Sequence, residues 1–220
     1  MEKFILKTNI FFYLILIFSK LLTVNSVIVP LEPKDEKRIL KTLKEIRESK
    51  ITKYEKPLTE NPKISIIIPV LNGEDYIKPI VVSIQKQILE DIEIIFVEDF
   101  STDNTYKNIQ KAKQLDPRIK VIKNKKNMGI MYSRMFGALE SKGEYVTFLD
   151  CDDLYVDPNV LKVAYETAEE KDLDLIQYEY VGSTYDGGNT INVCGVRSKF
   201  FREFLQIRIR TTYETQRNLL

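Results

Sequence analysis

The chain has 220 residues, with 44% hydrophobic content, enough for one domain of ordinary size plus an appendage. Its 33 basic and 32 acidic residues leave a net charge of +1, which argues against a general nucleic-acid binder. There is no histidine, so Ser-His and Cys-His nucleophiles, imidazole acid-base catalysis and His-containing zinc sites are all excluded. The two cysteines, Cys151 and Cys194, are too few for a disulfide framework, although the sequence leaves a single bridge between them open.

The N-terminus carries early lysines, then nine unbroken apolar residues from Ile10 to Phe18 and a lysine at position 20. That run is well short of the roughly 20 residues that span a bilayer. It fits a secretory signal over residues 1–28, either cleaved near Val24 and Ser26 or kept as an anchor, ahead of a cytosolic fate for the whole chain. Either secretory fate places the remainder in the secretory pathway, in the lumen or at its membrane.

Residues 29–62 form a charged connector. Ile39, Leu40, Leu43 and Ile46 fall at helical spacing, so a short amphipathic helix is expected from about Lys34 to Lys50, as a stem or packed on the domain edge. From Lys63 strands alternate with helices. Ile64 to Val70 reads as a buried strand that ends in Asn72-Gly73 turn chemistry. Ile77, Ile80, Val81, Ile84 and Ile88 then follow a helical period, and Ile92 to Val97 is a second strand running into Glu98 and Asp99. Ser101 or Thr102 is expected to cap the next helix, with Tyr106, Ile109, Ala112 and Leu115 inward.

A third strand covers Ile119 to Ile122, followed by a basic loop, Asn127-Met128-Gly129, and a helix whose apolar face is expected to be Met131, Met135, Ala138 and Leu139. Gly143 is expected to close that helix. The strand from Tyr145 to Leu149 then delivers Asp150, Asp152 and Asp153 at its carboxyl end, where open α/β sheets bind ligands. Three carboxylates there form a candidate station for a hard cation and phosphate. Asp172-Leu173-Asp174 has the same spacing but opens another apolar run, and reads as a strand entrance with its acids in solvent. Asp157-Pro158 starts a further helix, and Leu173 to Tyr180 reads as a fifth strand. The alternation implies an α/β, doubly wound, mostly parallel sheet. Beyond Gly182 only a Gly187-Gly188 turn and a possible helix from Phe200 to Ile209 are legible.

The segments ISIIIPVLNGEDYI, EIIFVEDFSTDNT and NMGIMYSRMFGALESKGEYVTFLDCDD, in that order, resemble the family 2 nucleotide-sugar glycosyltransferases of the GT-A fold, a Rossmann-like architecture. The resemblance runs from Lys63 to Gly182 and marks 63–182 as a nucleotide-sugar-binding domain. It implies that Pro69, Val70 and Asn72 line the nucleotide pocket and that Asp99 pairs with the base. It also implies that Asn127, Gly129 and Arg134 approach the nucleotide. Asp150 is then a contact to ribose or metal, Asp152 the principal ligand of Mg²⁺ or Mn²⁺, and Asp153 their support. The implied donor is a UDP- or GDP-sugar, and the acceptor an unknown glycan, lipid or protein. Two departures stand out: Glu98 replaces an Asp, and Phe100 replaces the usual glycine, where a bulky side chain resists a left-handed turn and should reshape the loop. The family's catalytic base comes from later in the chain. Glu179, Asp186, Glu203 and Glu214 are available, and Gln216-Arg217 faintly resembles the family's acceptor-side motif. None sits in the expected context, so no base is assigned, and residues 183–220 read as an incomplete acceptor side. The competing expectation is a nucleotide-binding module without turnover. The single glycine between Pro69 and Glu74 argues against a dinucleotide-binding turn, and a P-loop is absent from the sequence.

Overall fold

The computed structural model describes residues 33–173 continuously, together with the strand segments 27–28, 175–176, 181–185, 191–197 and 206–208. The N-terminal signal reading, the Gly187-Gly188 turn and the acids Glu179, Asp186, Glu203 and Glu214 lie outside these residues. Two compact units are present. The smaller takes in residues 1–32 and 179–202, the larger residues 33–178 and 203–220.

In chain order the described elements begin with β1 (Val27–Ile28) and α1 (Pro33–Glu48). They continue with β2 (Ile64–Val70), α2 (Ile77–Gln85), β3 (Ile92–Glu98), α3 (Thr105–Leu115) and β4 (Ile119–Lys123). Then come α4 (Ile130–Leu139), β5 (Tyr145–Phe148), α5 (Val160–Glu170) and β6 (Leu175–Ile176). The chain closes with β7 (Val181–Tyr185), β8 (Ile191–Arg197) and β9 (Gln206–Arg208). In the smaller unit β1, β8 and β7 make an antiparallel sheet, with Tyr185 opposite Ile191 across the hairpin.

The larger unit is built on a sheet of order β4-β3-β2-β5-β9-β6. Its first four strands are parallel, and β9 joins β5 and β6 antiparallel. The stretch expected to end in a helix at Ile209 therefore contains a strand. β2 sits between two parallel partners and is buried on both faces, which is why it reads as an uninterrupted apolar run. On one face Ile64, Ile66, Ile68, Ile94 and Phe96 pack with residues of α2, α3 and α5. On the other, Ile67, Ile95, Val97 and Val146 pack with Ala138 of α4.

Several local expectations are corrected. α2 ends at Gln85, so Ile88 lies beyond it and is exposed. Tyr106 is exposed, and Thr105 takes the inward place beside Ile109 and Ala112. α4 turns Ser133 and Gly137 inward, while Met131 is exposed and Leu139 is 72% exposed. Small residues let the helix approach closely: a Cβ at Gly137 would collide with Ile67. Gly143 is no left-handed cap. It lies against Ser65, and its N–H donates to Ser65 Oγ at 2.7 Å. Buried Glu93 completes that joint, accepting from Ser65 Oγ and from the N–H groups of Lys142 and Gly143.

The connector is bound to the helices that flank the sheet, α2 and α3. Ile46 of α1 is fully buried, Thr52 N–H donates to Gln85 Oε1 at 3.0 Å, and Tyr54 N–H to Leu115 O at 2.7 Å.

Candidate functional site

After β2 the chain builds β3 and β4 on one side and then returns to place β5 on the other. Such a reversal opens a crevice outside the carboxyl ends of the two flanking strands, here β2 and β5. The loops that follow β2, β3, β4 and β5 therefore share one lip, and the expected site residues lie on them, on α4 or, for Pro69 and Val70, at the end of β2 itself.

The β2 and β3 loops are stitched together. Asn72 N–H donates to Ser101 Oγ at 3.0 Å, Gly73 N–H to Thr105 Oγ1 at 2.8 Å, and Glu74 N–H to Asp103 Oδ2 at 3.1 Å. In return Thr102 N–H donates to Asn72 Oδ1 at 2.9 Å and Asn104 N–H to Glu74 Oε2 at 2.7 Å. Ser101 and Thr102 thus belong to this joint and do not cap α3. Asp103 supports the helix start instead, accepting from Thr105 N–H at 2.9 Å. Burial alone would lift the Asp103 carboxyl, but bonds from the Thr105 hydroxyl and N–H and from Glu74 N–H hold it below its ordinary value. Asn72 takes a left-handed φ of 51°, which Asn tolerates better than most residues.

Asp99 is only 3% exposed and ties β3 to the loop after β4. Its Oδ1 accepts from Asn124 Nδ2 at 2.7 Å and Met128 N–H at 2.8 Å, and its Oδ2 from Gly129 N–H at 2.8 Å. Asn127 Oδ1 also accepts from Gly129 N–H, at 3.0 Å. Asp99, Asn127 and Gly129 are therefore together, and the first and last are occupied in shaping the loop. Gly129 has φ of 85° and open space where a Cβ would stand, so its conformation is what requires glycine. Neighbouring Glu98 is fully buried; its Oε1 accepts from Ser101 N–H, and its Oε2 has no partner among the described residues.

Phe100 departs from expectation. It does adopt the left-handed turn, at φ of 70°, because its neighbours fix the loop on either side. Asp99 N–H donates to Val70 O at 2.8 Å and Ser101 N–H to the Glu98 carboxylate.

Across the crevice, Asp150, Cys151, Asp152 and Asp153 form a tight turn directly after β5, closed by Asp153 N–H donating to Asp150 O at 3.0 Å. Pro69 and Val70 are buried at the facing end of β2. The two loops nearly touch at Gly73, where a Cβ would stand 2.8 Å from Val70 Cγ2 and 3.4 Å from Cys151 Sγ. Cys151 is a free thiol that packs between them. Burial, then the charges of Asp152 and Asp150, push its pKa up to about 11. Crowding of the carboxyl, followed by the same two charges, also raises Asp153, with Arg134 pulling the other way. Arg134 reaches over from α4 and its Nη2 donates to Asp150 Oδ1 at 2.5 Å. Its Nε is buried without a hydrogen-bond partner among the described residues.

A negative field with carboxylate oxygens suits a hard divalent cation in donor chemistry. Among the described residues, however, no three acidic or thiol side chains gather in a geometry that would hold an ion. A separate cavity lined by Tyr54, Pro57, Ile92 and Arg118 opens at the amino ends of the strands. Its one buried cation, Arg118, is engaged by Asp116 at 2.8 Å.

The sequence model described as Glycosyl transferase family 2 matches residues 65–218. The chain belongs to that family. The family assignment and the parallel sheet agree with the expected GT-A fold. Among its relatives, Glycosyltransferase GlyG of Streptococcus pneumoniae serotype 4 is 33% identical over 126 residues, 57% of this chain and 42% of that protein. A Campylobacter jejuni protein named GalNAc(5)-diNAcBac-PP-undecaprenol beta-1,3-glucosyltransferase is 38% identical over 93 residues, 42% of this chain and 30% of that protein. A crystal structure of S. aureus TarS 1-349 in complex with UDP-GlcNAc is 32% identical with a TM-score of 0.48, over 51% of this chain and 33% of that one. The chain spans less than half the length of these relatives.

Proposed function

We propose that this chain forms the donor side of a glycosyltransferase that moves a sugar from a UDP- or GDP-sugar to a glycan, lipid or protein acceptor. The observation that carries the reading is the Arg134–Asp150 pair at the switch-point crevice, within the carboxylate turn Asp150–Asp153. A divalent cation, Mn²⁺ or Mg²⁺, would be held mainly by Asp152, with Asp150 and Asp153 as the neighbouring acids and the donor's diphosphate and water completing its oxygen shell, and would neutralise charge developing on the departing diphosphate. Pro69, Val70 and the Asn72 loop give the nucleotide a rigid wall, since their hydrogen bonds are already made before ligand arrives. Asp99 holds the Asn127-Gly129 loop at the base end, with one oxygen lone pair remaining for a ring N–H. Arg134 holds Asp150 and keeps an N–H donor in reserve. The N-terminal segment, read as a secretory signal or anchor, would deliver this activity to the secretory pathway. Among the described residues no helix is long and apolar enough to cross a membrane.

The test is turnover by the full chain with Mn²⁺ and a panel of UDP- and GDP-sugars, following free nucleotide. Nucleotide release from one donor class supports the proposal. Saturable nucleotide binding without release from any donor would replace it with a binding module that does not turn over.

A further inference from the structure

Phe100 combines two features that the fold does not call for. Its φ of 70° is a genuine outlier for a bulky residue, and it is 51% exposed, so burial does not compensate for the strain. Glycine would meet the turn's requirement without strain. What the turn receives instead is an aromatic face at the lip of the crevice. It stands next to Asp99, and the backbone on either side of it is fixed by the bonds from Asp99 N–H to Val70 O and from Asn72 N–H to Ser101 Oγ.

Its surroundings point to a planar ligand. Leu71, on the loop after β2, and Met128, on the loop after β4, are also exposed large apolar side chains. The same hydrogen bonds tie their loops to the Phe100 turn: Asn72 joins the Leu71 loop to Ser101, and Met128 N–H donates to Asp99 Oδ1. Three adjacent strand-end loops therefore each carry one exposed apolar side chain, and Asp99, which links two of them, retains acceptor capacity. A heteroaromatic ring has the matching chemistry, with apolar faces and a polar edge.

We propose that Phe100 is a specificity-determining residue that stacks on the base of the nucleotide donor, flanked by Leu71 and Met128. This rests on the donor-binding reading above. Strain at position 100 is then retained because the aromatic face contributes to binding, and stability and affinity respond to its removal in opposite directions.

The experiment uses the full chain with Mn²⁺ and four probes: UDP, GDP, pyrophosphate and anionic phosphatidylglycerol vesicles. Phe100→Gly should melt a few degrees higher than wild type, bind UDP about tenfold more weakly, and bind pyrophosphate unchanged. Because the protein has no tryptophan, Phe100→Trp supplies a single reporter, which should keep UDP affinity and lose emission as UDP saturates. Unchanged UDP affinity in Phe100→Gly, or Trp emission indifferent to UDP, would overturn the proposal while leaving donor binding intact. Equal losses for UDP and pyrophosphate would also overturn it, by showing a general loop disturbance. A Trp response to vesicles with normal UDP binding by Phe100→Gly would assign the face to lipid instead. Failure of wild type to bind UDP and GDP alike would remove the donor-binding reading itself.

Discussion

At the scale of single residues, the site is shaped by polar side chains that serve the loops around them. Asp99 is the clearest case: three donors from Asn124, Met128 and Gly129 converge on one buried carboxylate. Hydrogen bonds to a charged acceptor contribute more than neutral ones, and an amide in that place would turn N–H toward N–H. Asp99→Asn should therefore lower stability by about 2 kcal/mol, read from the urea midpoint without ligand. A loss within measurement error would show that water satisfies those donors as well. The family resemblance implies a nucleotide partner for Asp99, because an acid after a strand is visible in the sequence. Its partners within the fold are not, since they lie on a loop that follows another strand and helix. The same limit hid Asn72 and Thr102, whose bond joins two loops far apart in the chain.

At the scale of elements, the four parallel strands were legible, helix faces only partly so, and β7, β8 and β9 not at all. β2, β3 and β5 are buried runs bounded by turn chemistry, and a pattern of that kind has few alternatives. α4 misled because hydrophobicity favours its large residues, whereas close packing on the sheet selects Ser133 and Gly137. Buried Glu93 was invisible for a related reason: a charged residue inside a strand is explained only by the Lys142 and Gly143 N–H groups that fold onto it. The contact of α5 with β5 yields a pH prediction. Tyr165 stands edge-on to Tyr145 and donates to Glu144 Oε2 at 3.1 Å. Burial, then the Glu144 charge, raise its pKa to about 12. An unfolded tyrosine ionises near 10, so the unfolded state loses its proton first. The contribution of Tyr165 is full below pH 10 and is lost as pH rises toward 12. Thermal melts across that window should fall less steeply for Tyr165→Phe than for wild type, and parallel curves would contradict this assignment.

At the scale of the whole molecule, the order β4-β3-β2-β5 matters more than any single motif, because it brings four strand-end loops to one crevice. The acidic triplet was recognisable because it follows a buried strand, while the similarly spaced Asp172 lies after α5 and away from such a strand end. In the proposed function, a cation at the Asp150–Asp153 turn joins this crevice to a nucleoside diphosphate. Calorimetric titration of UDP and GDP into wild type and Asp152→Ala, each with and without Mn²⁺, tests it most directly. The prediction is binding in wild type that needs Mn²⁺ and is weakened at least tenfold by Asp152→Ala, a difference of about 1.4 kcal/mol or more. Equal affinity in the two proteins, or binding indifferent to the cation, would contradict it.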